Sequence, residues 1–505
     1  MSDVRLSRAW PTIVVATTGA FLINVDQASV PVANPSISDA LGASVGDLQW
    51  IYNAYLLPLA VLLVIGGTLA DRFGRERILG LGLVLFVAGS LGAAIVDSVG
   101  TLIAMRGVEG VGAALVLPST ISMVRSEFGG RALARALAIW VTGAIAGAAL
   151  GPIIAGLLLR SASWHAVFWP NIALGLVSIA VVATRFRGAA TSDVGEQIRG
   201  WWNLGMGLGL AGLVWGLIEA GARGWTAPAV LGPLVAGAAV LALTVAGSSW
   251  ITRARAGERP TDLRLLGVGL AIIVLLLIGA AGSFFLLAIY LQRGLGLSPL
   301  ETGVRMLAQT GLAALVAPLA GRLIGRVGLR PMLIAAFALE AGALFGFAAL
   351  DETSSYANVI PYQVMIAIAV GIVPTASLTI VLASAPRDRG GLFSGIQTAA
   401  LSVGNVLSVA VLGTIVSSAV GSRFLDALAE RGLPQLDADP AELGQGLAPD
   451  VASLSAEQLE LLDEATLDAF TAAMGVSFLA AAGVSIAAIA VVLTLGRRRI
   501  ASASG

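Results

Sequence analysis

The feature that most restricts the fold of this chain is a series of apolar stretches, each of about 20 residues. A helix of that length crosses a bilayer and satisfies its own backbone hydrogen bonds. The 505 residues are 57% hydrophobic and only 12% charged, with a mean hydropathy of +0.90. Soluble domains carry roughly 25% charged residues. The sequence therefore predicts an all-α membrane protein embedded in the lipid bilayer.

Fourteen such stretches follow one another, in groups of six, two and six. They lie near 10–34, 48–69, 78–97, 99–123, 134–159, 165–184, 201–221, 228–251, 264–290, 302–325, 331–350, 357–384, 391–420 and 467–496. Polar segments separate the three groups. We therefore predict an N-terminal six-helix half at 1–187, a two-helix insert with cytoplasmic linkers at 188–262, and a C-terminal six-helix half at 263–505.

Arginine clusters predict the orientation, because short loops rich in Lys or Arg stay in the cytoplasm. Such clusters occur in alternate loops, at 72–77, 131–135, 185–187, 253–259, 322–330, 387–389 and 497–499. An even number of spans then places both termini in the cytoplasm. We expect a multi-pass protein of the cytoplasmic membrane.

The segment between the last two stretches, 421–469, is long and acidic. Leu454, Leu459, Leu462 and Leu467 recur in it at near-helical spacing. We predict an external loop with a surface helix, which is either a solvated connector or a lid that captures substrate.

Several classes of function are excluded by what the sequence lacks. It has no Cys and a single His, so we expect no metal site, and His165 is interpreted as a structural residue at the membrane interface. The net charge is zero and no long basic run occurs, which argues against nucleic acid. No GxxxxGK[ST], HExxH or GxSxG motif is present, so we expect neither a cofactor nor an enzyme.

An internal repeat supports two related halves. The pattern G-x-L-x-x-R-x-G at 67–74 recurs at 321–328, in both cases after the second apolar stretch of a half. The second copy has Gly325 in place of Asp71. Related halves around a midplane cavity are typical of transporters that work by alternating access.

Four motifs make the chain resemble the fourteen-helix drug:proton antiporter family of the major facilitator superfamily. The motif residues are Gly67, Leu69, Ala70, Asp71, Arg72, Gly74 and Arg75 after helix two; Arg106, Gly110, Gly112, Ala113 and Ala114 on helix four; Asp26 on helix one; and Gly147, Gly151, Pro152 and Gly156 on helix five. The resemblance implies the major facilitator fold, with two six-helix halves plus two inserted linker helices.

The motif after helix two is interpreted as a gate. The resemblance implies that Gly67, Asp71, Arg72, Gly74 and Arg75 form a latch that closes the cytoplasmic side. The alternative is that these charges only mark a cytoplasmic loop.

Asp26, Arg106 and Glu109 are the candidates for proton coupling. Asp26 and Arg106 lie at matching depths, and Glu109, which stands where the family has Gln, lies one turn from Arg106. Burial favours a protonated carboxyl and a nearby Arg favours a charged one, so a change of surroundings moves a proton. Either carboxyl fits this role, with Asp26 preferred, and a purely structural Asp26–Arg106 pair is the alternative.

The motif on helix five, Gly147, Gly151, Pro152 and Gly156, marks exporters in the family that the chain resembles. Small residues at this spacing let helices approach closely, and the proline kinks the helix. A generic packing stripe is the alternative.

Polar residues in other spans are open to two interpretations. A cavity-facing Glu340 could attract cationic substrates, or it could pair with a helix neighbour or face a buried water, and Gln397 and Asn405 could line the cavity or join helices. The turn at 164–171, which contains His165, is interpreted as an interfacial anchor with little chemistry.

These features predict a monomeric, proton-coupled exporter of lipophilic or cationic drugs. Export of an endogenous lipid or secondary metabolite is the alternative within transport. A non-transporting membrane sensor or enzyme is the alternative from another class.

Overall fold

The structure is a computed structural model of the chain. It describes residues 10–128, 130–185, 200–247, 261–351, 353–384, 390–434 and 455–494, together with 436, 443, 444, 446, 448 and 449. The described residues contain helices and no strands, so the all-α prediction is confirmed for this part of the chain.

The α-helices are numbered in chain order. They are α1 (Trp10–Leu41), α2 (Val45–Phe73), α3 (Arg75–Ala93), α4 (Val99–Glu127), α5 (Gly130–Ser161), α6 (Trp169–Arg185), α7 (Gly200–Arg223), α8 (Pro228–Ala246), α9 (Leu263–Ile289), α10 (Pro299–Val327), α11 (Leu329–Ala348), α12 (Tyr356–Ser384), α13 (Gly390–Glu430) and α14 (Ala456–Leu493). A 3₁₀ turn, Trp164–Phe168, precedes α6, and a π-helical turn, Tyr290–Gly294, follows α9.

Within the described ranges, 11 helices are long and apolar enough to cross a membrane. They are α1, α3 to α6 and α9 to α14, while α7 and α8 contribute the shorter apolar segments Gly207–Ala220 and Pro228–Thr244. Large apolar side chains on the outer faces of these helices are exposed, among them Leu157 at 57% and Leu315 at 69%. A multi-span membrane protein is therefore confirmed, and the count of fourteen spans stays a prediction.

The chain divides into two compact units. Unit 1 holds the described residues of 10–36, 50–208 and 299–304, and unit 2 holds those of 37–49, 209–298 and 305–494. In unit 2, α11 packs on α12 and α14, and α9 packs on α12, α13 and α14. In unit 1, α3 packs on α4 and α6. The predicted boundaries at 187 and 262 stay a prediction.

The internal repeat corresponds to a shared backbone turn. Gly74 joins α2 to α3 with a φ of 98°, and Gly328 joins α10 to α11 with a φ of 93°. A residue with a β-carbon is strained at such angles, so glycine is required at both joints. The sequence similarity of the two copies is thus explained by backbone geometry.

Close contact between α3 and α4 follows from glycines on their facing sides. A β-carbon at Gly112 would lie 2.5 Å from the Phe86 backbone nitrogen, and one at Gly89 would lie 2.8 Å from the Glu109 backbone nitrogen. Helices with small residues at the contact approach until their backbones touch. This approach brings the C-terminal part of α3 against the turn of α4 that carries Glu109.

The last two helices are longer than the sequence predicts. We predicted an external loop with a separate surface helix over 421–469, but α13 continues to Glu430 and α14 begins at Ala456. Ser455 starts α14 with a capping box that it forms with Gln458. Leu459 and Leu462 therefore belong to the first turns of α14, while Leu454 lies outside the described residues. Only part of 431–455 is described, so the external loop and its surface helix stay a prediction there, whereas Leu459, Leu462 and Leu467 belong to α14 itself.

Candidate functional site

The site centres on Arg106, which lies in the first third of α4 and is fully buried. Its Nη1 donates to both carboxylate oxygens of Asp26 on α1, at 2.9 and 2.7 Å, and to Oε2 of Glu109 at 2.5 Å. Asp26 is 2% exposed and Glu109 is fully buried. The structure thus brings together the three residues that the sequence singled out for proton coupling.

Two further helices complete the shell of this cluster. Asn171 on α6 donates from Nδ2 to Oδ1 of Asp26 at 2.8 Å. Ser90 on α3 donates from its hydroxyl to Oε1 of Glu109. Each carboxylate therefore has a second partner besides the arginine, and α1, α3, α4 and α6 all contribute to one polar cluster.

Aromatic rings cover the guanidinium. The Arg106 Cζ lies 4.4 Å from the centre of the Tyr55 ring and 5.8 Å from the centre of the Phe168 ring. Its Nε donates to the Ile51 carbonyl at 3.3 Å, which ties α4 to α2. A cation over ring faces gains a favourable interaction that grows as water is excluded. The surroundings thus hold the arginine in its charged form inside an apolar shell.

The charges of the cluster do not balance when all groups are ionised. Asp26 and Glu109 then carry two negative charges against the single positive charge of Arg106. An uncompensated charge in a water-free interior is strongly unfavourable. One proton bound to either carboxyl makes the cluster neutral, so the arrangement has the chemistry of a site for a single proton.

Two polar atoms of the cluster lack a hydrogen-bond partner although they are buried. They are Nη2 of Arg106 and Oδ1 of Asn171. A buried donor without an acceptor is unfavourable. The guanidinium therefore has an unused donor that a carboxylate could reach after a small rotation.

The sequence did not predict four residues around this cluster, namely Tyr55, Ser90, Phe168 and Asn171. The turn at 164–171 was interpreted as an anchor with little chemistry, but Asn171 binds Asp26 and Phe168 covers Arg106, so that interpretation was wrong for these two residues. Ser90 was not considered, because one serine in a span usually bonds to its own helix. The matching depths of Ser90 and Glu109 on neighbouring helices were the only available signal.

His165 makes local contacts at the start of α6. Its ring stacks on Trp164 with centroids 3.8 Å apart, and Nε2 lies 3.0 Å from the Val96 carbonyl oxygen. The residue thus joins the turn before α6 to the end of α3.

The glycine motif of α5 forms helix contacts within unit 1. A β-carbon at Gly151 would lie 2.8 Å from the β-carbon of Ala28 on α1, and one at Gly156 would lie 2.5 Å from the Pro299 carbonyl oxygen at the start of α10. Gly147 faces α1 one turn before Gly151, and Pro152 lies between them and Gly156 inside the helix. These residues let α5 cross two helices at backbone contact.

The contact between α5 and α1 lies within one turn of Asp26 along the chain. Ser29 donates to the Gly151 carbonyl at 3.0 Å, three residues after Asp26. A shift of α5 therefore acts directly on the part of α1 that carries the carboxylate.

The gate motif is described only in part. Gly67 lies in α2, Gly74 forms the turn before α3, and the exposed Arg72 stacks over Phe73 at 5.3 Å. Arg75 begins α3, and the side chain of Asp71 lies outside the described residues. The latch therefore stays a prediction.

The polar residues predicted for the substrate cavity occupy two helices of unit 2. Glu340 is fully buried in α11, Gln397 is buried in α13 and Asn405 is partly buried in the same helix. Neither carboxylate oxygen of Glu340 has a hydrogen-bond partner, so no hydrogen bond links it to the other two residues. Among the described residues, no group of three His, Cys, Asp or Glu could hold a metal ion.

Comparison with known families identifies the class of protein. The sequence pattern of the Major Facilitator Superfamily matches residues 16–409. The chain belongs to this superfamily, and it is therefore a membrane transporter and not an enzyme.

Its relatives are drug and antibiotic resistance and export proteins. The chain is 33% identical to the tetracenomycin C resistance and export protein of Streptomyces glaucescens, over 96% of this chain and 91% of that protein. It is 30% identical to the methyl viologen resistance protein SmvA of Salmonella typhimurium, over 81% and 83% of the two chains. These relatives are resistance and export proteins, whereas the fourteen-helix antiporter type of this chain stays a prediction.

Solved structures show the same fold. A bacterial homologue of the human lysosomal transporter Spinster, in an inward-facing occupied conformation, superposes with a TM-score of 0.61 at 17% identity, covering 95% of both chains. A peptide transporter in complex with sulfate gives a TM-score of 0.65 at 14% identity, covering 99% of this chain and 96% of that one. At this identity the likeness establishes the major facilitator fold alone.

Proposed function

We propose that this transporter exports lipophilic or cationic compounds across the cytoplasmic membrane in exchange for protons. The observation that carries the proposal is the buried cluster in which Arg106 lies between Asp26 and Glu109. Relatives named for resistance to methyl viologen and for export of tetracenomycin C support the substrate class. The protein works as a monomer with both termini in the cytoplasm.

One proton on this cluster makes it neutral, and the hydrogen bonds suggest which carboxyl holds it. Asp26 accepts from Arg106 at both oxygens and from Asn171, whereas Glu109 accepts from Arg106 at one oxygen and from Ser90. Donated hydrogen bonds favour the charged form of a carboxyl. In the conformation described, Glu109 therefore holds the proton, for which the Ser90 hydroxyl oxygen can turn to act as acceptor, and Asp26 is charged.

Transfer of the proton between the two carboxyls changes which of them binds Arg106 more strongly. When Asp26 is protonated, Arg106 turns toward Glu109, and its unused Nη2 supplies the additional hydrogen bond. This change frees α1 from α4, and α5 moves with α1 because their backbones are in contact at Gly151. Protonation from outside thus favours the conformation that releases substrate there.

The remaining motif residues have roles in the same cycle. The gate motif, with Asp71 and its neighbouring arginines, closes the cytoplasmic side. Gln397 and Asn405 on α13 offer amide groups to a substrate, which fits a transporter that accepts varied lipophilic compounds.

The test is transport in proteoliposomes with methyl viologen or ethidium as the probe and an imposed pH gradient. Wild-type protein should accumulate the probe against its gradient, and Glu109→Gln and Asp26→Asn should each abolish gradient-driven accumulation. Glu109→Gln should retain exchange of labelled for unlabelled probe, because a neutral amide mimics the protonated acid. Asp97→Asn is the matched control, since Asp97 is 86% exposed and outside the cluster.

Two results would contradict this function. Either wild-type transport is indifferent to the pH gradient, or both cluster variants respond to the gradient as Asp97→Asn does.

Export of an endogenous lipid or secondary metabolite is the second candidate. It is favoured by the relatives named for export of tetracenomycin C and, as a probable transporter, of actinorhodin. Proton release measured with a panel of cationic dyes and neutral lipids distinguishes this function from drug export. An exporter of a lipid or metabolite should release protons with the neutral compounds alone.

A further inference from the structure

Unit 2 contains a carboxyl group that the proposed coupling site does not use. Glu340 lies in the middle of α11 and has no exposed surface. It faces α9, where Gly279 makes room for it, since a β-carbon at that position would lie 2.6 Å from Oε1 and 3.2 Å from Cδ. The side chain is therefore enclosed where α9, α11 and α14 pack together.

No described group compensates a charge on Glu340. Neither carboxylate oxygen accepts a hydrogen bond, and no ion pair with an arginine is found for it among the described residues. Asp26 and Glu109, in contrast, share Arg106. A lone carboxylate enclosed by apolar helices is strongly unfavourable, so the group is neutral in these surroundings.

A neutral carboxylic acid needs an acceptor for its proton, and Ser485 on α14 provides one. Ser485 and the Ala280 backbone are the polar groups that face Glu340. The Ser485 hydroxyl already donates to the Ala481 carbonyl at 3.2 Å, so its oxygen lone pairs remain to accept a proton. A hydrogen bond from Glu340 to Ser485 would join α11 to α14.

The internal repeat relates the surroundings of Glu340 to a position in unit 1. Its two copies begin at 67 and 321, which are 254 residues apart. With the same offset in residue number, Asp26 corresponds to Ala280 and Tyr55 corresponds to Gln309. Gln309 donates from Nε2 to the Ala280 carbonyl at 3.2 Å. The Ala280 backbone, which faces Glu340, thus occupies the place in unit 2 that Asp26 occupies in unit 1.

We propose that Glu340 is a second proton-binding site, which holds its proton as a neutral acid hydrogen-bonded to Ser485. The two units then bind one proton each by different means: unit 1 balances two carboxyls against an arginine, and unit 2 keeps one carboxyl without a counter-ion. The proposal is independent of drug export and of coupling, because a transporter that moves no protons can hold this one.

Infrared spectroscopy of the purified protein tests the proposal directly. A protonated carboxylic acid has a C=O stretching band that is separate from those of carboxylates and amides and shifts in D₂O. At neutral pH, Glu340→Gln should lose one such band. Ser485→Ala should keep the band and move it to higher frequency, because the acid loses its acceptor. Asp351→Asn, at an exposed position, should leave the region unchanged.

An unchanged protonated-acid region in Glu340→Gln would overturn the proposal. If that variant does not fold, Ser485→Ala decides, and the absence of any protonated-acid band that responds to Ser485→Ala would overturn it equally. Neither result depends on the transport measurements, so failure of this site and failure of proton-driven export are distinguishable.

Discussion

Replacement of Arg106 by Met tests whether the three charged residues act as one unit. Methionine has a similar reach and fills apolar space, but it removes the charge and four hydrogen bonds, to Ile51, to both oxygens of Asp26 and to Glu109. Asp26 and Glu109 would then face each other without a cation.

The expected loss of stability in Arg106→Met follows from the burial of all three charged groups. Removing one partner of a buried ion pair lowers the free energy of unfolding by about 3–5 kcal/mol, because the remaining charge is uncompensated. Both carboxyls lose their partner here, and both can relieve the strain by taking up protons. The loss should therefore be largest at alkaline pH and should shrink as the pH falls and the carboxyls become neutral.

The assay is thermal unfolding of the purified protein in detergent across pH, with a matched variant that removes every charge. The triple variant Arg106→Met, Asp26→Asn, Glu109→Gln should recover most of the stability at alkaline pH, since replacing a buried charged network by neutral residues is often close to neutral. The reasoning is refuted if Arg106→Met is as stable as the wild type, or if the triple variant is no more stable than the single one.

Two smaller perturbations examine the helix contacts around the cluster. Ser90→Ala should lower the free energy of unfolding by about 1–3 kcal/mol, because Glu109 loses its hydrogen bond with that serine. Ser178→Ala should have little effect, because that buried serine bonds only to its own helix. Equal effects of the two variants would contradict a stabilising contact between Ser90 and Glu109. Gly151→Ala should lower the stability of the protein by about 1–3 kcal/mol, because the added methyl group overpacks the contact with α1. Gly483→Ala should be neutral or slightly stabilising, because a β-carbon at that position meets open space. The midpoint of thermal unfolding measures both effects.

The predictions from sequence succeeded where one physical rule decides the outcome. Apolar length predicts helices, and each predicted span has a helix over it. Arg106 and Asp26 could be paired because a charge inside a span needs a partner at its own depth. Both inferences use only the rise of a helix and the dielectric of the interior.

The predictions failed where the rotation of a helix determines which residues face the cluster, and where solvent exposure determines where a helix ends. Asn171 and Ser90 lie in the cluster because their helices turn them inward, and depth alone does not give the rotation of a helix. The ends of α13 and α14 extend beyond the apolar stretches, because polar residues continue a helix well when it projects from lipid into water. A hydropathy pattern marks the edge of the lipid and not the end of the helix.

The two units share their backbone joints and differ in their chemistry, and packing explains the difference. Gly74 and Gly328 occupy matching turns with φ values of 98° and 93°, where no other residue is unstrained. Asp26 and Ala280 occupy matching positions that are both buried. An aspartate at 280 would find Glu340 nearby and no arginine, so it would add a second uncompensated carboxyl. The charged site of unit 1 thus depends on α1, α3, α4 and α6 supplying their groups together, and no single substitution would transfer it to unit 2.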